Sequence, residues 1–276
     1  MKPRLTPREL RAALPRVFDA LRESDAIILR HWHALKVSHK SDGSEVTQAD
    51  RAAEQALRRR LAKAWPRDAV LGEEYGGELA RTGRSWLLDP IDGTASYVLG
   101  IPLFGTLVAL AIDAEPVLGF IRLPAMRETT YAARGFGCWL KRDGERRPRR
   151  VSVAAPRALS AAQIGFTSIV QSDLARRPGP WRLANLARSV GRLRLVGDCV
   201  QYALICRGVL DGGIDFSIKP WDLGSLVSCV LEAGGSIGDL HGKTDAVLAR
   251  TSLVAASSSR LRLAICRQLG GLEARR

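Results

Sequence analysis

The sequence predicts an α+β fold, with a mixed sheet and helices in the first half and an α/β half after it. Three observations carry that prediction. Two apolar runs in mid-chain, Phe104 to Ile112 and Val117 to Leu123, flank the polar segment Asp113-Ala114-Glu115-Pro116 and read as an antiparallel hairpin. Two helical patterns precede them, each opened by a capping box. After the arginine-rich stretch that ends at Arg150, strand-like and helix-like segments alternate. The division is therefore placed there, residues 1–150 forming an N-terminal α+β half and 151–276 a C-terminal α/β half. With 276 residues, 46% of them hydrophobic and 25% charged, the chain can bury a substantial core without a metal or disulfide to hold it together.

Taken in order, Thr6-Pro7-Arg8-Glu9 supplies a threonine cap, a proline at the first helical position and a glutamate three residues after the cap. A helix of about 25 residues follows, with a bend expected at Pro15. Lys40 to Ser44 is a turn, and Thr47-Gln48-Ala49-Asp50 opens a second helix that reaches Trp65-Pro66. Trp86-Leu87-Leu88 reads as a short buried strand running into Asp89, and Thr129 to Ala133 as a strand beside the hairpin. In the second half, Arg192 to Val196, Gly213 to Phe216 and Leu253 to Ala256 are strands; Cys199 to Val209, Trp221 to Ala233 and Ser259 to Leu269 are helices. The helix from Trp221 has apolar residues at 223, 226, 227, 230 and 231 and stops at Gly234-Gly235.

Composition excludes several classes. The longest nearly uncharged apolar stretch, Ile101 to Ile112, is shorter than the roughly 20 residues of a bilayer-spanning helix. The basic N-terminus leads into polar sequence without an apolar signal core, so a cytoplasmic protein is expected. Five scattered cysteines (138, 199, 206, 229 and 266) form no Cys-x-x-Cys pair and read as buried small hydrophobes. The four histidines form no metal pair. A net charge of +14 would suit anionic partners, but its densest cluster, Lys141 to Arg150, carries Gly, Pro and acids and no interleaved aromatics, so it reads as a solvated loop rather than a nucleic-acid surface.

The informative residues are acidic. Asp89-Pro90-Ile91-Asp92-Gly93-Thr94 places two carboxylates three apart where a strand gives way to a sharp turn. Gly72-Glu73-Glu74 places another acid in a glycine-bracketed loop, and Trp221-Asp222 places one at a helix start. Oxygen ligands without imidazole or thiolate favour Mg2+ or Mn2+ over zinc. Singly, each acid also suits a cap or turn: Asp222 as a helix cap, Asp50 as the acid of the Thr47 capping box, Asp92-Gly93 as a plain turn.

Jointly, these segments resemble the signatures of the inositol monophosphatase superfamily. Asp42 to Asp50 is similar to that family's upstream motif, and the helix ending Glu232-Ala233-Gly234-Gly235 to its downstream one, so the likeness runs from about Lys40 to Gly235 in the family's order. The resemblance implies an αβαβα sandwich of the sugar-phosphatase type. It also implies a metal-dependent phosphomonoesterase, a hydrolase that uses Mg2+ to turn water on a small phosphorylated metabolite with no covalent enzyme intermediate. Carried over, Glu73, Asp89 and the Ile91 carbonyl would be ligands of one ion, and Asp89, Asp92 and Asp222 of a second. Asp50 and Thr94 would orient and deprotonate the water, and the amides of Gly93, Thr94 and Ala95 would hold the phosphate. Gly197-Asp198-Cys199 with Tyr202-Ala203-Leu204, and Gly100 to Leu107, resemble the branch that hydrolyses histidinol phosphate, in which Asp198 would meet the substrate ammonium.

The alternatives within the family are an inositol-1-phosphate phosphatase and a 3'(2'),5'-bisphosphate nucleotidase; from another class, an RNA- or protein-binding regulator that keeps the phosphatase shell. The family likeness also implies a homodimer. A haloacid-dehalogenase reading fails because Asp89 and Asp92 are not in Asp-x-Asp spacing, and Gly242-Lys243-Thr244 lacks the spacing of a P-loop.

Overall fold

Two long helices open the chain, and their starts follow from short-range chemistry. In the computed structural model, which describes residues 3–32, 37–39, 45–167 and 181–272, α1 spans Pro7–His31 and α2 spans Gln48–Ala64. The Thr6 side chain accepts from the Glu9 amide while Glu9 accepts from the Thr6 amide at 2.7 Å. Thr47 and Asp50 form the same reciprocal box at the start of α2. The turn expected at Lys40 to Ser44 lies outside the described residues.

Fifteen strands are formed by the described residues: β1 (Val37–His39), β2 (Glu45–Thr47), β3 (Ala69–Gly72), β4 (Gly76–Gly77), β5 (Arg84–Asp92), β6 (Gly105–Ile112), β7 (Glu115–Leu123), β8 (Glu128–Ala133), β9 (Gly137–Arg142), β10 (Arg149–Val151), β11 (Gln163–Phe166), β12 (Arg192–Leu195), β13 (Gly212–Asp215), β14 (Ser236–Gly238) and β15 (Leu253–Ala256). The other helices are α3 (Thr94–Val98), α4 (Leu183–Ser189), α5 (Asp198–Cys206), α6 (Pro220–Glu232) and α7 (Ser259–Leu269). β1 and β2 pair with each other. The large sheet runs β10-β9-β8-β7-β6-β5-β3-β4, antiparallel except between β3 and β5. The second runs β12-β11-β13-β15-β14, with β11 parallel to both of its neighbours.

Because successive side chains of a strand face opposite ways, each sheet buries two apolar surfaces. Trp86, Leu88, Val108 and Leu110 pack under Val17, Leu21, Leu57 and Leu61 of α1 and α2. Their neighbours Leu87, Leu107 and Ala109 face the other way, against Val200 and Ala203 of α5 and Leu223, Leu226 and Val227 of α6; Leu253 and Ala255 of β15 close that layer from beyond. Ile164, Ile214 and Val254 line the far face of the second sheet, under Leu186 of α4 and Leu261 and Ile265 of α7. The result is the αβαβα layering. Helix α6 lies unusually close to the large sheet: a Cβ on Gly224 would stand 2.7 Å from Ala109 Cβ and Leu87 Cδ1, and one on Gly119 would stand 2.8 Å from the Ser225 carbonyl. Among the described residues no helix is long and apolar enough to cross a membrane.

Several boundaries differ from the sequence reading. The strand expected at Trp86 to Leu88 is nine residues long and carries both Asp89 and Asp92, with a register irregularity between them. Pro90 cannot donate to a neighbour, but its carbonyl accepts from the Thr106 hydroxyl at 2.8 Å, and Asp92 pairs again with Gly105, so the chain stays on the sheet past both acids. The hairpin turn is only Asp113-Ala114, both in the left-handed region (φ 52° and 57°), while Glu115 and Pro116 belong to β7. The basic stretch is not a loop throughout: Lys141 and Arg142 end β9, and Arg149 to Val151 form the edge strand β10, where exposed arginines discourage further pairing. Helix α5 stops at Cys206, three residues short of Val209, because Gly208 turns left-handed at φ 69°.

Candidate active site

Strand β5 and helix α6 meet at three acids. One carboxylate oxygen from each of Asp89, Asp92 and Asp222 lies within 4.8 Å of the other two. The close approach of α6 to the large sheet, allowed by Gly224 on the helix and Gly119 on β7, brings Asp222, in the first turn of α6, down to the strand. Asp222 Oδ2 accepts from the Lys219 amide at 3.0 Å, which caps the helix, and Asp92 Oδ2 accepts from the Cys199 amide at the start of α5. Asp89 Oδ1 and Asp222 Oδ1 are buried and have no hydrogen-bond partner. A buried carboxylate oxygen without a donor costs roughly 1–3 kcal/mol or more, so these atoms call for a cation or a proton. The donor set is oxygen only, which fits a hard divalent cation.

Electrostatics points the same way. Burial first, then the charges of Glu73, Asp222 and Asp92, pushes the Asp89 carboxyl well above the ordinary range. Burial and Asp222 raise Asp92, while burial and Glu73 push Asp222 up to about 8. Glu73 follows β3, with its amide donating to the Leu88 carbonyl at 3.1 Å. Its charge is felt by Asp50, Asp89 and Asp222, so it stands beside the tight group, which among the described residues comprises the three aspartates.

Asp50 lies on the other side, in the first turn of α2. Its Oδ2 accepts the Thr47 amide at 2.7 Å and the Thr47 hydroxyl, leaving Oδ1 at 3.5 Å from Thr94 Oγ1. The Thr94 hydroxyl also reaches the Ile91 carbonyl, at 2.9 Å. Burial outweighs the Thr47 bonds and raises Asp50, with Glu73 adding to the shift. Gly93 caps α3 at φ 86°, and a Cβ there would be 2.8 Å from both Asp198 Oδ2 and the Leu103 carbonyl, so only glycine fits. The first-turn amides of Thr94 and Ala95 follow it.

Asp198 opens α5 in the left-handed region at φ 43°, its carboxylate against Gly93; burial, then Asp92 and Asp215, raises it well above the ordinary range. Asp215 is the acid that sequence reasoning missed. It ends β13, where Oδ2 accepts from Tyr202 Oη at 2.6 Å and from Gln201 Nε2 at 3.4 Å, and Oδ1 accepts from the Thr167 hydroxyl. The signal was present: Gly212-Gly213-Ile214-Asp215 is an acid at the end of an apolar strand, as Asp89 is.

Comparisons with known proteins give the family and the fold. The model of the inositol monophosphatase family matches residues 12–272. Over 208 residues the chain is 40% identical to a histidinol-phosphatase of Mycobacterium tuberculosis, covering 75% of this chain and 79% of that protein. Over 256 residues it is 33% identical to the inositol-1-monophosphatase ImpA of Mycolicibacterium smegmatis, covering 91% and 90% of the two chains. Among solved structures, the extragenic suppressor protein suhB of Bartonella henselae superposes with a TM-score of 0.82 at 28% identity, covering 94% of this chain and 98% of that one. With its layered fold and metal-dependent type of acidic site, the chain belongs to the inositol monophosphatase family and is a phosphoric monoester hydrolase.

Proposed function

We propose that this enzyme hydrolyses histidinol phosphate, using Mg2+ held by the acidic cluster. The observation that carries the substrate reading is Asp198: an acid outside the three-acid group, pressed against Gly93 and backed by Asp215, which burial and its acidic neighbours leave in need of a cation beside the phosphate-facing turn if it is to ionise. An amino alcohol phosphate offers an ammonium group to such a carboxylate, whereas a neutral polyol phosphate leaves its charge uncompensated. Relatives named histidinol-phosphatase, at 40%, 33% and 35% identity, support the same reading.

In this reading Glu73, Asp89 and the Ile91 carbonyl would hold one ion, and Asp89, Asp92 and Asp222 another. Bound there, the ions supply Lewis-acid polarisation of the phosphoryl group and of the attacking water. The chain's own groups do the rest. The amides of Gly93, Thr94 and Ala95 bind phosphate oxygens, Thr94 Oγ1 orients the water, and Asp50 Oδ1 receives the proton that Thr94 relays. The raised affinity of Asp50 for a proton, and the bonds from Thr47 that fix its other oxygen, suit that task. The division near Arg150 then separates labour: residues 1–150 supply the water-activating pair and most cation ligands, and 151–276 supply Asp198 and Asp222. The same reading takes the protein as a cytoplasmic homodimer; its five cysteines, all free and buried, fit a reducing compartment.

A substrate panel tests the proposal. With Mg2+ present, kcat/KM for phosphate release from histidinol phosphate should exceed that for inositol 1-phosphate and adenosine 3',5'-bisphosphate by about tenfold or more, the discrimination expected when one buried charge pair is made or lost. The reverse order overturns the assignment.

A further inference from the structure

Asp50 and Glu73 stand on different elements, and one side chain ties those elements together. Glu54 lies one helical turn beyond Asp50 on α2 and is fully buried. Its Oε2 accepts the Glu74 amide at 2.7 Å, and its Oε1 accepts the Tyr75 amide at 3.3 Å and Arg58 Nε at 2.7 Å. Arg58, the next turn along, sends Nη2 to the Gly76 carbonyl. On the near side of Glu73 the fit is as tight: a Cβ on Gly72 would fall 2.2 Å from Glu54 Oε1 and 2.9 Å from Arg58 Nη2. The backbone from 72 to 76 is thus wrapped around the Glu54–Arg58 pair, with Glu73 at the middle of the wrap and its charge acting on Asp50, Asp89 and Asp222.

A charged carboxylate taken wholly out of water needs its countercharge and nearly all its lone pairs satisfied. Glu54 has Arg58 for the first, and the two amides that directly follow Glu73 for the second. A helix-surface ion pair would need neither burial nor those amides. We infer that Glu54 is a positioning residue: it holds the Glu73-bearing segment in register with α2, so that Glu73 and Asp50 keep a fixed spacing across the acidic cluster. The inference rests on the reading of that cluster as a divalent-cation site. Gly72 is part of the device, since a methyl group there would displace the carboxylate.

The test compares wild type, Glu54→Gln, Gly72→Ala and the double variant in the full chain. Three quantities are read: Mn2+ affinity by electron paramagnetic resonance, the Mg2+ concentration that gives half-maximal turnover, and Tm in EDTA. The amide of Glu54→Gln keeps the size but turns one acceptor into a donor facing an N–H. Mn2+ affinity should fall by about tenfold to a hundredfold, the usual effect of losing a group that orients a ligand, with a matching rise in the Mg2+ requirement and a much smaller change in KM for the phosphomonoester. Gly72→Ala should produce the same loss, and the double variant no more than the larger single loss, because both act on one contact. Should Glu54→Gln fail to fold, Glu54→Asp takes its place; it keeps the charge beside Arg58 and withdraws the oxygens from both amides. A variant with lowered Tm and wild-type Mn2+ affinity, or fully additive losses, overturns the inference alone. A wild-type chain that binds no Mn2+ overturns both the inference and the cation-site reading beneath it.

Discussion

Asp50 and Asp222 each divide their two oxygens between a helix start and the acidic site. For Asp50, Oδ2 closes the capping box on Thr47 and Oδ1 faces Thr94; for Asp222, Oδ2 takes the Lys219 amide and Oδ1 is left buried without a partner. A cap and a site residue are therefore not competing explanations of one aspartate, which is why neither residue could be assigned from its own neighbourhood in the sequence. Asp92 completes the group and repels both of its neighbours. Changing it to Asn keeps an acceptor for the Cys199 amide and removes that repulsion. Asp92→Asn should lose more than about a hundredfold of Mg2+-dependent turnover, beyond what is lost when a merely orienting group is removed. In EDTA its Tm should rise, by roughly 2–4 °C for each kcal/mol of repulsion relieved. Phosphate release and thermal melts check the two halves, and full turnover in the variant would contradict a cation site at Asp92.

At the scale of elements, length decided what could be read. Helices α1, α2, α6 and α7 run 11 to 25 residues, long enough for a 3.6-residue period and cap signals to show. Strands β6 and β7 announced themselves by apolar runs. Strands β3, β4 and β14, of two to four residues, and the five-residue α3 carry too few residues for any period, although β3 and α3 flank the site. The turn between β6 and β7 is narrower than its polar sequence suggests, because Ala114 gives no hint of its left-handed backbone. Close packing left a similar gap. Gly224 within α6 reads in sequence only as a weak spot in a helix, yet the space it leaves lets α6 descend onto Leu87 and Ala109. Gly224→Ala should cost about 1–3 kcal/mol through overpacking. Because α6 carries Asp222, it should also weaken Mg2+ binding, whereas an overpacked site remote from α6 would lower Tm alone. Calorimetric titration with Mn2+ alongside a melt separates these outcomes.

For the molecule as a whole, amphipathic periods show which face of each element is buried but not which element covers it; the order of the five layers came from the family likeness rather than from the residues. The site lies where those layers join, with Asp89 and Asp92 on the large sheet, Asp222 on the helix between the sheets, and Asp198 and Asp215 on elements of the second half. A cation bound there ties both halves to one point, so its affinity adds directly to global stability: about 2.7 kcal/mol at a hundredfold excess over Kd. The sign of the pH dependence follows from the raised carboxyls. A group that holds its proton more tightly folded than unfolded stabilises the fold fully below its unfolded value, near 3.8, and loses that contribution as pH rises through its folded value, about 8 for Asp222. In EDTA, Tm should therefore fall between pH 5 and pH 8 as the buried acids are forced to ionise. Saturating Mg2+ favours the ionised forms, so the rise in Tm that it gives should be larger at pH 8 than at pH 5, and roughly 5–10 °C where Mg2+ is a hundredfold above Kd. Melts with and without Mg2+ across that range measure it. An equal rise at both pH values would mean that the three aspartates are not where the ion binds.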